Sequence, residues 1–237
     1  MLVINNGSID VWTISIDSVQ HLVSDCKELL SPEERMRADR LVVPYAGKQF
    51  YLSRGVLRII LNKYLNITEQ SIQFAYGAHG KPQLAKCHNS KIEFNASKSG
   101  KYLIYGVTNS MPIGVDIEEI RESKPNYYLR IAKRFFSAHE FSSMLYTKDH
   151  NSTDLFFTCW SRKEAYLKRH GIGLSRHLAS FVVNVSPSES ARLIATPWLP
   201  SDVQETQLID LPAPNAYRTA LAVASSSNIT IRNYTEL

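Results

Sequence analysis

Four residues have the types and spacing to handle phosphate through a hard cation. In IGVDIE (113–118) side chains alternate across a strand, so Ile113, Val115 and Ile117 point to one face and Asp116 and Glu118 to the other. Two carboxylates two residues apart suit Mg²⁺, or Mn²⁺ in its place. Such an ion takes oxygen ligands, keeps several waters and commonly bridges one or two carboxylates to phosphates. D-x-E also occurs on ordinary solvated strand faces, so this pair alone decides little. In CWSRKEAYLKRHG (159–171) helical spacing brings Trp160, Glu164, Lys168 and Gly171 near one stripe. An exposed Glu–Lys pair at i,i+4 is worth only about 0.2–0.5 kcal/mol. Here Trp160 and Leu167 place the stripe at the border of the core. There the same pair supplies a third carboxylate and a phosphate-neutralising ammonium.

Two further segments carry polar groups of the right kind. GKPQL (80–84) reads as a tight turn presenting Lys81. FNASKSG (94–100) reads as a polar connection between two strands, where Asn95, Ser97 and Ser99 offer backbone N–H and hydroxyl donors to phosphate and Lys98 adds a cation. Either segment in isolation is an ordinary turn.

The elements that must hold these residues are legible from periodicity. IDVWTISI (9–16) is an opening strand. Helical spacing follows over 18–30, with Val19, Leu22, Val23, Cys26, Leu29 and Leu30 on one side. Ser31, Pro32 and Glu34 give an N-cap, a first-turn proline and a capping-box acid for a helix through Leu41. A longer helix, 45–65, buries Val56, Leu57, Ile60, Leu61, Tyr64 and Leu65. Strands are expected at 72–76, 92–95, 102–107 and 112–118, then helices at 138–147 (capped by Ser137 and Glu140) and 152–170. The tail reads as strands near 179–184, 190–196, 216–224 and 228–233, with Pro-rich surface loops around 197–200 and 212–214. Strand, helices, strands thus occurs twice. The expected fold class is α/β (α+β), in two similar halves, residues 1–108 and 109–237, meeting near 107–111.

Bulk properties exclude several classes. The 237 residues suffice for one large domain or two small ones. No apolar run approaches the ~20 residues that span a bilayer, and MLVINNGSIDVW lacks the basic start and apolar stretch of a signal peptide. Cys26, Cys87 and Cys159 form neither a CxxC motif nor an even disulfide set, which fits a reducing, cytoplasmic compartment. A net charge of +5 suits an anionic ligand, an acidic protein or nucleic acid equally.

The order of the motifs narrows this. GKPQL (80–84), FNASKSG (94–100), IGVDIE (113–118), RFFSAHEF (134–141) and WSRKEAYLKRHGIGL (160–174) together resemble the Sfp-type 4′-phosphopantetheinyl transferases. SPEERMRADRLVVP and SRGVLRIIL (53–61) are similar to that family's N-terminal half. The resemblance covers residues 30–175, and the last sixty residues contribute only a generic strand pattern. It implies a pseudo-dimer of two α/β halves with the active site in the cleft between them. It also implies transfer of the phosphopantetheine arm of coenzyme A to a serine of an apo acyl or peptidyl carrier protein, releasing 3′,5′-ADP. Carried over by position, Asp116, Glu118 and Glu164 would hold Mg²⁺ on the pyrophosphate, Lys168 would contact the α-phosphate region, and Glu164 would take the serine proton, directly or through a metal-bound water. Lys81 and Lys48, with Ser97 and Lys98, would face the nucleotide phosphates, and Arg54 is a weaker candidate for that role.

One departure stands out. The family usually reads FN(L/I)SHSG, and this chain has Ala96 and Lys98 in place of the apolar residue and the histidine. Lysine keeps a fixed positive charge and loses titration near neutrality, so coenzyme A binding should be kept with less pH dependence below pH 7. In the family the stretch corresponding to 119–158 helps seat the carrier. Its apolar residues, Tyr127, Tyr128, Leu129, Phe135, Phe136, Phe141, Met144 and Leu145, are mostly expected in the core, with a few forming an apolar patch for the carrier's helix. Arg121, Lys124, Arg130, Lys133 and Arg134 either complement an acidic carrier or form a solvated face. The implied partners are coenzyme A and a carrier protein, with no nucleic acid or membrane, and the chain is expected to act as a monomer. Two other readings remain open: a degenerate protein that binds coenzyme A or carriers without turnover, and a metal-dependent nuclease. The nuclease is disfavoured because Glu and Lys sit four apart on a helix. The carriers that the resemblance implies are those of fatty acid, polyketide or nonribosomal peptide biosynthesis.

Overall fold

Strand β1 (Ser8–Ser15) alternates Ile9 and Val11 on one face with Asp10, Trp12 and Ile14 on the other, and both sets are buried. It therefore lies in the middle of a sheet covered on both sides. The computed structural model describes residues 1–147, 151–173 and 176–237. After β1 the chain forms α1 (Ile16–Val19), α2 (Val23–Leu29), α3 (Pro32–Asp39) and α4 (Pro44–Asn62). Next come β2 (Phe74–Tyr76), β3 (Pro82–Leu84), β4 (Ile92–Ser99), β5 (Tyr102–Asn109) and β6 (Ile113–Glu119). Helices α5 (Tyr127–Phe135), α6 (Ala138–Tyr146) and α7 (Ser152–His170) follow, then β7 (Val182–Val183), β8 (Leu193–Ala195), α8 (Asp202–Glu205), β9 (Thr206–Asp210), β10 (Tyr217–Ala224) and β11 (Thr230–Tyr234). No helix among the described residues is long and apolar enough to cross a membrane.

Two main sheets result, in the orders β11-β1-β5-β4 and β6-β10-β9. Helix α4 lays Leu52, Val56 and Ile60 on the outer face of the first sheet, against Trp12, Phe94 and Tyr105. Helix α7 covers the outer face of the second with Leu155, Cys159 and Tyr166, against Ala220 and Ala222 of β10. The inner faces share a core in which Ile9, Val11 and Ile104 meet Ile113, Val115, Ile117 and Leu221. The α/β class and the bounds of α6 and α7 follow the sequence closely, whereas α4 stops at Asn62 and the expected helical stretch 18–30 is broken into α1, a 3-10 turn over Gln20–Leu22 and α2. Ser31 and Ser137 both complete the expected capping boxes, with Glu34 and Glu140.

Several expectations need correction. FNASKSG is not a connection: β4 runs on through Ser99, and the turn is Gly100 and Lys101, where Gly100 takes φ +51°. Its polar residues look like a loop because they lie on a strand face that meets polar partners. GKPQL is a turn only at Gly80 (φ +81°), after which Pro82–Leu84 pairs with β2. Helix α5 has no side-chain cap and starts from Asn126 in the left-handed region, so no start signal marks it. Strand β9, five residues that follow α8 directly, likewise carries no strand signal in the sequence. The expected division at 108/109 falls at the end of β5, yet β11 returns from the second half to pair parallel with β1. Arg232 fixes that return by donating to both oxygens of buried Asp10, at 2.6 and 2.8 Å. Leu174, the end of the WSRKEAYLKRHGIGL motif, lies outside the described residues.

Helix α7 comes close to β6 at Gly114. A Cβ there would overlap the Ala165 carbonyl and the Arg169 amide of α7, groups that cannot move aside as a side-chain tip could. We expect Gly114→Ala to push α7 off β6 and cost about 1–3 kcal/mol of stability, read as a lowered denaturation midpoint. Wild-type stability in this variant would refute the tight fit.

Candidate active site

Helix α7 starts at Asn151, whose side chain accepts from Asp154 N at 2.8 Å, and ends at Gly171 in the left-handed C-cap (φ +69°). Two cations on its buried side lock it in place. Lys163 pairs with Glu140 at 2.7 Å, both side chains fully buried, and donates to the carbonyls of Leu178 and Phe181. Arg162 donates to both oxygens of Asp210 and to the carbonyls of Asn184, Ser186 and Glu189. Every bond of these buried charges is made inside the protein, so they anchor the helix. The Arg–Lys dipeptide in the WSRKE motif is thus structural.

The stripe left facing β6 is Trp160, Glu164 and Lys168. Lys168 Nζ lies 2.5 Å from Asp116 Oδ1 and 2.6 Å from Ser97 Oγ. Ser97 Oγ donates to the same carboxylate oxygen at 2.9 Å. At the other end of the stripe Trp160 Nε1 donates to Glu118 Oε1 at 3.1 Å, while Ser99 Oγ donates to Glu118 Oε2 at 3.1 Å. Asp116 Oδ2 and Glu164 Oε1 are buried with no hydrogen-bond partner among the described residues. Burial raises the pKa of all three acids. It does so for Asp116 against the opposing pull of Lys168. Glu118 is pushed to about 7 by burial and by the Asp116 charge, with Ser99 opposing. Glu164 is raised by burial, with Lys168 opposing.

These residues fit a divalent cation that brings most of its own ligands. Among the described residues no group of three or more His, Cys, Asp or Glu side chains is arranged to hold a metal by itself. Mg²⁺ does not need one, because it binds through one or two carboxylates plus waters and substrate phosphates. An all-oxygen donor set with two unpartnered carboxylate oxygens offers that kind of partial site.

The other expected residues lie elsewhere. Lys81 Nζ donates to Ile113 O at 2.9 Å and Arg169 O at 3.0 Å, and burial lowers its pKa to about 8. In this state its ammonium staples the β3 turn to the start of β6 and the end of α7. Lys98 is on the opposite face of β4 from Ser97 and donates to Gln49 Oε1 on α4 at 3.3 Å. Lys48 is exposed one residue away. Gln49 also donates to Gly100 O, so this second basic group sits at the tip of the β4–β5 hairpin. Arg54 lies over the rings of Phe50 and Tyr76. The sequence reading missed Ser99 and Trp160 as the partners of Glu118. The stripe spacing already pointed to Trp160, eight residues before Lys168, while nothing in the sequence marked Ser99 beyond its alternation with Ser97.

Known proteins match both halves of the chain. Residues 112–222 match the family model described as 4′-phosphopantetheinyl transferase superfamily, and residues 12–109 match 4′-phosphopantetheinyl transferase, N-terminal. The chain is 32% identical to the 4′-phosphopantetheinyl transferase HetI of Nostoc sp., over 83% of this chain and 82% of that protein. It is 35% identical to the 4′-phosphopantetheinyl transferase Sfp of Bacillus subtilis, over 66% of each. Among solved structures, holo-(acyl-carrier-protein) synthase of Thermotoga maritima is similar at 18% identity and a TM-score of 0.38, covering 49% of this chain and 64% of that one. That last likeness is too slight to carry weight. The two family matches cover both halves, and the HetI alignment spans most of both chains. This chain therefore belongs to the 4′-phosphopantetheinyl transferase superfamily.

Proposed function

We propose that the protein transfers the 4′-phosphopantetheine group of coenzyme A to the serine hydroxyl of an apo carrier protein, giving the holo carrier and 3′,5′-ADP. The supporting observation is the half-satisfied Asp116–Ser97–Lys168 cluster beside Glu118 and Glu164, at the junction of the two halves in a member of this family. The serine oxygen forms a new bond to the phosphorus that carries the pantetheine. The bond from that phosphorus to the bridging oxygen breaks, and the bridging oxygen leaves with ADP.

Such a reaction is governed by positioning and charge neutralisation. Asp116, Glu118 and Glu164 would hold the divalent cation, Mg²⁺ or Mn²⁺, which when bound neutralises the diphosphate and its leaving oxygen. Lys168 contributes a mobile ammonium at the same place, and Ser97 and Ser99 keep the two strand carboxylates turned toward it. Glu164, with a raised pKa and a free oxygen, is placed to take the serine proton. Lys98 and Lys48 on the hairpin side meet the nucleotide phosphates. On the outer surface Arg121, Lys124, Arg130, Lys133 and Arg134 are all exposed. Tyr127 and Phe135 are 42% and 46% exposed. Basic side chains around exposed aromatic rings suit an acidic carrier domain.

Incubation with coenzyme A, Mg²⁺ and an apo carrier domain should raise the carrier mass by one phosphopantetheine unit. EDTA should abolish the gain, and Asp116→Ala should slow it by roughly 10²–10³-fold. No gain with coenzyme A still bound would instead identify a binder without turnover, and cleavage of added DNA a nuclease.

The same acids cost stability. Between its ordinary value near 4.5 and its folded value near 7, Glu118 holds a proton in the native state that it lacks unfolded. Its contribution is therefore fully present below pH 4.5 and lost as pH rises through 7. In EDTA, Glu118→Gln should melt roughly 2–5 °C above wild type at pH 8, and the gap should close by pH 5. An offset independent of pH would contradict the buried charge.

A further inference from the structure

A cation already lies on Asp116. The Asp116 side chain is only 2% exposed, against 25% for Lys168, yet its charged partner among the described residues sits on a flexible four-carbon stem from another element. The cluster is asymmetric. Asp116 Oδ1 receives both the Lys168 ammonium and the Ser97 hydroxyl, while Asp116 Oδ2 and Glu164 Oε1 have no hydrogen-bond partner among the described residues. Glu118 is held at both oxygens by neutral donors, Trp160 and Ser99. Lys81, another half-buried lysine close to this end of α7, is tied to two carbonyls and so is not free to replace Lys168.

We propose that Lys168 serves as a stand-in cation on Asp116 in the substrate-free protein, so that a divalent ion binds well only together with a diphosphate. This rests on the reading of Asp116, Glu118 and Glu164 as the metal-binding acids. A divalent ion approaching the free site meets a carboxylate oxygen already shared with an ammonium, and like charges repel. A diphosphate gives Lys168 a second anionic acceptor. The ammonium then turns from Asp116 to phosphate, and Asp116 Oδ1 is released beside the already bare Oδ2. Each ligand strengthens the other by the same factor, because the coupling is reciprocal.

Binding of Mn²⁺ to the full chain, followed by electron paramagnetic resonance of the free ion, tests this without any turnover. For wild type we expect coenzyme A to tighten Mn²⁺ binding at least tenfold. 3′,5′-ADP, which lacks the diphosphate, should change it less than twofold. Lys168→Met should bind Mn²⁺ at least tenfold tighter than wild type without coenzyme A and lose most of the gain on adding it. Ser97→Ala, which keeps the ammonium in place, should not tighten Mn²⁺ binding. The proposal is overturned if Lys168→Met binds no tighter than wild type. Should that variant fail to fold, equal effects of coenzyme A and 3′,5′-ADP on wild type overturn it instead. Equal affinity under every condition removes the stand-in role and leaves the metal site intact, whereas no Mn²⁺ binding under any condition removes both.

Discussion

Strand β6 has a backbone partner on one side only, and its other edge would present bare N–H groups inside the molecule, an arrangement folded proteins avoid. The side chains of β4 resolve this. Asn95 Oδ1 accepts from Val115 N at 2.9 Å and Ser99 Oγ from Glu119 N at 3.1 Å. The same row of β4 residues turns its hydroxyls onto the carboxylates of β6, Ser97 to Asp116 and Ser99 to Glu118. A single polar strand face therefore joins the two halves and fixes two of the acids. The seam between the sheets and the floor of the site are one structure.

The second wall of the site depends on how close α7 comes to that seam. Gly114 permits the approach, and the buried charges of Arg162 and Lys163 hold the helix from behind. Within this frame Trp160 reaches Glu118 and Lys168 reaches Asp116 from one helical stripe. Burial raises the pKa of all three acids, as expected where like charges are gathered for use on an anionic substrate. The tension is tolerable because each strand acid has a hydroxyl donor and the cluster has one ammonium.

Much of this is legible in the sequence, for identifiable reasons. Alternation in IGVDIE and the i,i+4 spacing of Trp160, Glu164 and Lys168 are local properties of strand and helix, so the pairing faces could be read directly. Capping boxes at Ser31 and Ser137 are equally local. What escaped the sequence was non-local. FNASKSG resembled a loop because the partner that makes its polar face a strand face lies some twenty residues on, in β6. The positions of Lys81 and Lys98 are equally non-local: Lys81 is held by carbonyls from two distant elements, and strand alternation turns Lys98 toward α4, beside Lys48. The return of β11 to β1 depends on Arg232 meeting an aspartate at the far end of the chain.

The seam is tested most directly by residue-resolved amide hydrogen exchange at Val115 and Glu119. If β4 side chains cap the open edge of β6, both amides are protected at the level of the surrounding core in the wild-type protein. Asn95→Ala should then speed exchange at Val115 by at least ~10-fold and leave Glu119 largely protected, while Ser99→Ala does the converse. Wild-type amides that exchange as freely as a solvent-facing strand edge, or that are indifferent to the loss of Asn95 and Ser99, would contradict the account.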